Sequence, residues 1–205
     1  MVEAPNALDR LRDGNHRFVS GRRSRDAQPT ESRRAEVSDE QKPFAIILGC
    51  SDSRVPAEII FDQGLGDLFV IRVAGNIVAP SQIGSVEFAA AQFDARLVVV
   101  LGHSQCGAVA ATLEELQQPM EFQSHNIRSI IDRIRPSVEP LLNSGLEKDS
   151  DALLARAIRA NVDFAVSHLR HGSVILERLV EEEGLMVVGA EYSLETGEVE
   201  FFDAM

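Results

Sequence analysis

Four short runs of consecutive apolar residues constrain the fold of this chain more than any other feature of its sequence. Each run is about as long as a β-strand, and runs this continuous are typical of strands covered on both faces, as in parallel sheets. The runs are 44–49, 67–73, 96–102 and 185–192. Apolar residues recur at helical spacing in 5–19, 82–94, 107–117, 124–135 and 151–170.

This alternation of strands and helices predicts an α/β fold with a mostly parallel central sheet flanked by helices. An N-terminal helix over 5–19 precedes the first strand. The fourth run continues into a predicted hairpin whose turn contains Thr196 and Gly197. The sheet is therefore expected to end in a C-terminal hairpin edge.

A chain of 205 residues is long enough for about one domain. Residues 20–42 are polar and rich in Arg, Ser and Glu, which predicts a loop or arm. We therefore expect residues 1–42 to form a helix and an arm that pack on a partner subunit. Residues 43–205 are expected to form the α/β domain that carries the functional site.

Acidic residues outnumber basic residues by 32 to 20, which gives a net charge of −12. This charge argues against nucleic acid and anionic membranes as partners, so the basic cluster of Arg22, Arg23 and Arg25 is interpreted as a solvated turn or a subunit contact. No apolar run approaches the roughly 20 residues of a membrane helix. The N-terminus also lacks the pattern of a secretory signal, and together these features predict a cytoplasmic protein.

The chain has two cysteines, and each follows one of the apolar runs. Cys50 begins the pattern C-x-D-x-R with Asp52 and Arg54, and Cys106 ends the pattern H-x-x-C with His103. Functional sites of open α/β sheets form at the carboxyl ends of the strands, so both cysteines are expected at the same sheet edge. In a chain without a secretory signal, we expect thiols or metal ligands rather than a disulfide.

Two thiolates and one imidazole form a donor set that suits Zn²⁺ and leaves one tetrahedral position for water or a carboxylate. Asp52 is a candidate for that fourth ligand, and it can also form a bidentate ion pair with Arg54. This choice suggests a switch in which Asp52 closes the site on zinc and opens it when paired with Arg54. For either cysteine alone, the alternative is an inert core thiol. The two motifs together favour a metal site.

The segments CSDSRVPAE at 50–58 and GHSQCG at 102–107 resemble the β-class carbonic anhydrases, and the similarity extends over most of the chain. The resemblance implies that the zinc ligands are Cys50, His103 and Cys106, and that the catalytic dyad is Asp52 and Arg54. It also implies the reversible hydration of CO₂ to bicarbonate and a proton by zinc-bound hydroxide, which this dyad orients. The enzyme would then be a carbonate dehydratase, which is a lyase.

The same resemblance extends to residues around the substrate. Gln41 matches a glutamine that hydrogen-bonds substrate from the neighbouring subunit, Phe69 matches an aromatic residue of the pocket, and Gly107 would present its backbone N–H to the zinc-bound oxygen. Ile47 stands where the bicarbonate-inhibited branch has a tryptophan, and the chain has no tryptophan, so the plant-like branch is predicted. Phe88 stands where the plant-like enzymes have a tyrosine.

The position of Gln41 gives a physical reason to expect a dimer. Gln41 and Cys50 flank the first strand at opposite ends, and an extended strand separates them by about 20 Å or more. A substrate role for Gln41 therefore requires a second subunit. We expect a homodimer as the minimal unit, and tetramers or larger assemblies are compatible with it.

Two other functions are compatible with these residues. Related proteins reuse the same zinc site to hydrolyse carbon disulfide or carbonyl sulfide, and the metal ligands alone do not distinguish that reaction. A non-enzymatic, zinc-dependent binding or regulatory module would be expected to lose Asp52 or Arg54, and both residues are present.

Overall fold

The computed structural model describes residues 2–25, 27–118, 124–143 and 149–202. Its helices are α1 (Ala4–Val19), α2 (Glu31–Glu36), α3 (Ala57–Ile60), α4 (Pro80–Gln92), α5 (Gly107–Gln117), α6 (His125–Val138), α7 (Ser150–His171) and α8 (Val174–Glu182). Its strands are β1 (Ala45–Gly49), β2 (Leu68–Arg72), β3 (Leu97–His103), β4 (Met186–Tyr192) and β5 (Val199–Phe202). The sequence-predicted helices and strands are all present, with boundaries shifted by no more than about three residues, the usual uncertainty of such predictions.

The five strands form one sheet in the order β2-β1-β3-β4-β5. β1 pairs in parallel with both β2 and β3, and β3 pairs in parallel with β4. β5 runs antiparallel to β4 and completes the predicted hairpin. β1 and β3 are buried along their whole lengths, which explains their continuous apolar sequences. The α/β fold with a mostly parallel sheet is therefore confirmed.

The order of the strands places a crevice at one end of the sheet. From β1 the chain moves to β2 on one side, and it later adds β3 on the other side of β1. Such a reversal of winding opens a crevice outside the carboxyl ends of the two strands where it occurs. In this chain that crevice lies between the ends of β1 and β3.

Side chains of β1 alternate between the two faces of the sheet. Ile46 and Leu48 pack with side chains of α4, α7 and α8 in one core. Ala45 and Ile47 pack with side chains of α1 and α3 in a second core on the other face. A third apolar cluster combines both cysteines with side chains of α5, α6 and α7. The crevice is therefore walled by packed helices. No helix within the described ranges is long and apolar enough to cross a membrane.

The N-terminal region is more structured than its sequence predicts. α1 packs on the sheet of its own chain, with Ala7 and Leu11 fully buried in the second core. α2 lies within 20–42, where the sequence predicts a loop or arm, and Thr30 caps its first turn. Six residues are too few to show a helical period, which is why the pattern did not predict α2. The packing of residues 1–42 on a partner subunit remains a prediction.

One buried carboxylate connects the arm to the α/β domain. The Asp62 side chain is fully buried, and it accepts hydrogen bonds from Nε of Arg17 at 2.7 Å, Nε of Arg23 at 3.3 Å and the backbone N–H of Ser24 at 2.9 Å. Burial by itself raises the pKa of Asp62, but these donors outweigh burial and hold the pKa below its usual range. Arg23 of the basic cluster therefore makes an internal contact.

Asp62→Asn is expected to lower the free energy of unfolding by about 2 kcal/mol, because charge-assisted hydrogen bonds are lost. Asn is tolerated at the positive φ of 48° that this residue adopts. The pKa of Asp62 is lower in the folded than in the unfolded chain. The stabilisation of the fold by Asp62 is therefore complete above the ordinary carboxyl pKa of about 4, and it decreases as the pH falls below that value.

Urea denaturation at about pH 7 and about pH 3 measures this difference. The matched control is Asp9→Asn, which removes an exposed carboxylate paired with Arg12 on α1. A loss of stability for Asp62→Asn that is equal at both pH values, or equal to that of the control, would contradict the assignment.

Candidate metal centre

Three sulfur and nitrogen donors converge in the crevice between β1 and β3. Cys50 directly follows β1, His103 is the last residue of β3, and Cys106 is the N-cap of α5. The ligand atoms of the three side chains all lie within 4.8 Å of one another, and all three residues are buried. The structure therefore brings together the three residues that the sequence predicts as metal ligands.

Backbone contacts orient the imidazole of His103. Its Nδ1 lies 2.9 Å from the carbonyl oxygen of Ser104. A carbonyl only accepts hydrogen bonds, so Nδ1 carries the proton and Nε2 keeps a free lone pair. Nε2 is buried and has no hydrogen-bond partner among the described residues. A buried, unpartnered lone pair is costly unless it binds a cation, and the two thiols lie beside this imidazole, within 4.8 Å.

The two cysteines are electrostatically unequal. Contact with Cys106 lowers the pKa of Cys50 to about 4, against the effect of burial. The same contact, together with burial, raises the pKa of Cys106. The contact between the two thiols therefore favours one negative charge and one proton on the pair, and a metal ion would displace that proton on binding. Two thiolates and one imidazole fit Zn²⁺.

Asp52 and Arg54 form a bidentate ion pair at the mouth of the cluster. Nε and Nη2 of Arg54 donate to Oδ1 and Oδ2 of Asp52 at 2.9 and 2.8 Å, and the backbone N–H of Arg54 also donates to Oδ1 at 2.9 Å. These hydrogen bonds lower the pKa of Asp52 well below its usual range, so the carboxylate is ionised at neutral pH. Oδ2 also lies 3.9 Å from Nε2 of His103. Asp52 is thus paired with Arg54, and its alternative contact with zinc remains a prediction.

Arg72 braces the loop that carries these residues, a role that sequence reasoning missed. It stands at the end of β2, opposite Gly49 of β1. Its Nε donates to the carbonyl of Cys50 at 3.0 Å, and its Nη2 donates to the carbonyl of Asp52 at 2.6 Å. Its position at the end of a predicted strand could have suggested a role near the site. The contacts themselves depend on the register of β1 with β2, which the sequence does not predict.

Gly75 contributes a second contact that the sequence did not reveal. Its backbone N–H lies 3.4 Å from Sγ of Cys50. The sequence predicts only a turn at Gly75 and Asn76. Gly75 has a φ of +68°, and a Cβ atom there would lie 2.7 Å from Ile134 and 3.1 Å from Ala108. The close packing of this turn on α5 and α6 therefore requires glycine.

Gln41 and Phe69, which were predicted to contact substrate, lie away from the three metal-ligand candidates of the same chain. Gln41 precedes β1 and lines a surface pocket with Phe93. Phe69 on β2 pairs with Ile46 on β1. Ile46 precedes Cys50 by four residues, which is about 13 Å along an extended strand at about 3.3 Å per residue. The ring of Phe69 contacts that of Phe93, with centroids 5.9 Å apart. Gln41 and Phe69 thus share one patch, which is separate from the donors.

Comparison with known proteins gives a consistent result. The family model described as carbonic anhydrase matches residues 45–199. A carbonic anhydrase of Mycolicibacterium smegmatis is 40% identical over 190 residues, which cover 93% of this chain and 89% of that protein. Carbonic anhydrase 2 of Mycobacterium tuberculosis is 40% identical over 187 residues, covering 91% of this chain and 87% of that protein. The crystal structure of the β-carbonic anhydrase CafA of Aspergillus fumigatus has a TM-score of 0.75 at 27% identity, over 83% of this chain and 80% of that one.

Proposed function

Since this chain belongs to the carbonic anhydrase family and is a β-class member, a lyase, we propose that it hydrates CO₂ at Zn²⁺ held by Cys50, His103 and Cys106. One observation supports this metal site most strongly: two thiols lie beside the imidazole of His103, whose Nε2 has no hydrogen-bond partner among the described residues. The relatives are named as carbonic anhydrases, which favours CO₂ over carbon disulfide or carbonyl sulfide as the substrate. The plant-like branch and the cytoplasmic location remain predictions.

Zn²⁺ bound here would lower the pKa of a coordinated water so that it attacks CO₂ at neutral pH. Asp52 then selects and orients the attacking group. An ionised carboxylate accepts a hydrogen bond only from an oxygen that carries a proton, which aims the lone pair of that oxygen at carbon. Arg54 keeps Asp52 ionised and fixes its orientation through two parallel hydrogen bonds.

The surroundings of the donors suit a small apolar substrate. Ile77 and Val109 pack in the same buried cluster as Cys50 and Cys106. Gly107 begins α5, so its backbone N–H has no partner within the helix. We propose that this N–H would donate to the oxygen held by the metal, as the resemblance implies, and that the positive end of the helix dipole would add to the effect.

We further propose a homodimer in which Gln41 and Phe69 of the partner subunit complete the site. Within one chain these residues share a patch that is remote from the cluster. The ring of Phe88 contacts that of Phe69 and is 53% exposed. An exposed aromatic group next to the substrate residues is typical of a surface that a second subunit covers.

Cys106→Ser is expected to reduce zinc from about one ion per chain to a small fraction of that, because a neutral hydroxyl is a far weaker zinc ligand than a thiolate. Metal analysis after dialysis measures the change, and circular dichroism verifies the fold. The control is His16→Gln, which removes an exposed imidazole on α1. Full zinc content in Cys106→Ser would contradict the ligand assignment.

Asp52→Asn is expected to keep its zinc and lose most of its CO₂ hydration, about 10²-fold or more, because the amide no longer selects a protonated nucleophile. Stopped-flow hydration of CO₂ with matched zinc content measures the loss. Asp132→Asn is the matched control, since Asp132 forms a surface ion pair with Arg135 on α6. Wild-type turnover in Asp52→Asn would rule out the proposed role of the dyad.

A further inference from the structure

A single buried amide on α7 reaches the loop that contacts the Cys50 sulfur. Nδ2 of Asn161 donates to the carbonyl oxygen of Gly75 at 2.9 Å. Asn161 is 2% exposed and lies on the apolar face of α7, next to Val162 in sequence. An amide in such surroundings costs stability unless it is hydrogen-bonded, so its contact with Gly75 has a specific structural effect.

That effect is to fix one peptide unit from both sides. Asn161 binds the carbonyl of the peptide between Gly75 and Asn76, and the N–H of the same peptide donates to the carbonyl of Val73 at 3.1 Å. Residues Ala74–Asn76 form a 3-10 turn between β2 and α4. With this peptide fixed, Gly75 is held in its left-handed conformation, and its own N–H points at Sγ of Cys50, 3.4 Å away.

Two observations make this turn sensitive to the loss of Asn161. The backbone of Gly75 adopts a φ of +68°, and glycine has the widest choice of other conformations. The turn also packs tightly against Ala108 and Ile134, so a small rotation of the peptide changes the N–H to sulfur distance. Asn161 supplies the directional contact that selects one orientation.

We propose that Asn161 is a positioning residue of the metal centre, which acts through Gly75 to keep an N–H···S hydrogen bond on the Cys50 thiolate. This inference rests on the proposed metal site. A hydrogen bond to a ligating thiolate withdraws charge from the sulfur, and hydrogen bonds around a cysteine ligand are known to tune metal centres. Two thiolates donate much charge to Zn²⁺, and this contact limits the donation from one of them.

The test compares Asn161→Leu with Asn15→Leu. Leucine has the branched shape of asparagine, with two methyl groups in place of the amide oxygen and nitrogen, but it is larger and has no donor. Asn15 is a matched control because it is also buried and also donates to backbone carbonyls, those of Ile60 and Gly197, but it lies on α1. Asn161→Leu loses one buried hydrogen bond, and Asn15→Leu loses three, since Asn15 also accepts from the backbone N–H of Val199. Only Asn161→Leu affects the turn beside Cys50.

The readouts are zinc affinity, from competition with a chelator, and the cysteine-to-metal charge-transfer band of the Co²⁺-substituted protein. Asn161→Leu is expected to bind zinc about ten-fold more weakly, because the turn no longer holds Cys50 in position for the metal; this is the usual lower range for loss of an outer-shell partner. Its Co²⁺ band is expected at longer wavelength, because the thiolate becomes more electron-rich. Asn15→Leu is expected to match wild type in both. Asn161→Ala, which brings no added bulk, repeats the test if the leucine variant does not fold.

The outcomes separate the two proposals. Wild-type protein that binds neither Zn²⁺ nor Co²⁺ would overturn the proposed metal site and this inference with it. If wild type binds both ions, an Asn161 variant with unchanged affinity and an unchanged Co²⁺ band would overturn the role of Asn161 alone. Equal changes in the Asn161 and Asn15 variants would also overturn it, since they would reflect general destabilisation.

Discussion

The parallel pairing of β1 with β3 is the constraint on which the rest of the site depends. It aligns the carboxyl end of the strand before Cys50 with the end of the strand that carries His103. Because the direction of winding reverses between β1 and β3, their carboxyl ends border an open crevice. α5 starts four residues after His103, so Cys106 reaches the same crevice as its N-cap. A site assembled by the sheet itself is positioned by the most deeply buried part of the molecule.

The loops around this centre are held by side chains from other elements of the fold. Arg72 of β2 holds the carbonyls of the loop that carries the dyad. Asn161 of α7 holds the turn that contacts Cys50. Both contacts use directional hydrogen bonds to backbone atoms, which restrict orientation more than apolar packing does. The donors therefore sit on rigid strand ends, and their surroundings are fixed by side chains from elements on both flanks.

The sequence predicted what local patterns encode. The apolar runs predicted the strands because β1 and β3 are covered on both faces, and the two short motifs predicted Cys50, His103 and Cys106 as neighbours. Several features were not predicted, and three of them show why. α2 is shorter than a readable helical period, Arg72 acts through a strand register that no local pattern contains, and Asn161 is an isolated polar residue on an apolar helix face. Each depends on long-range packing.

The most direct test of the account is stopped-flow hydration of CO₂ by purified protein of known zinc content, at about pH 7 and about pH 8.5. Because Arg54 holds the ionised carboxylate of Asp52, the account predicts rapid hydration at both pH values with about one zinc per chain. Hydration only at the higher pH would contradict the pairing of Asp52 with Arg54 at neutral pH. No hydration at either pH, with zinc bound, would contradict the central claim that this centre hydrates CO₂.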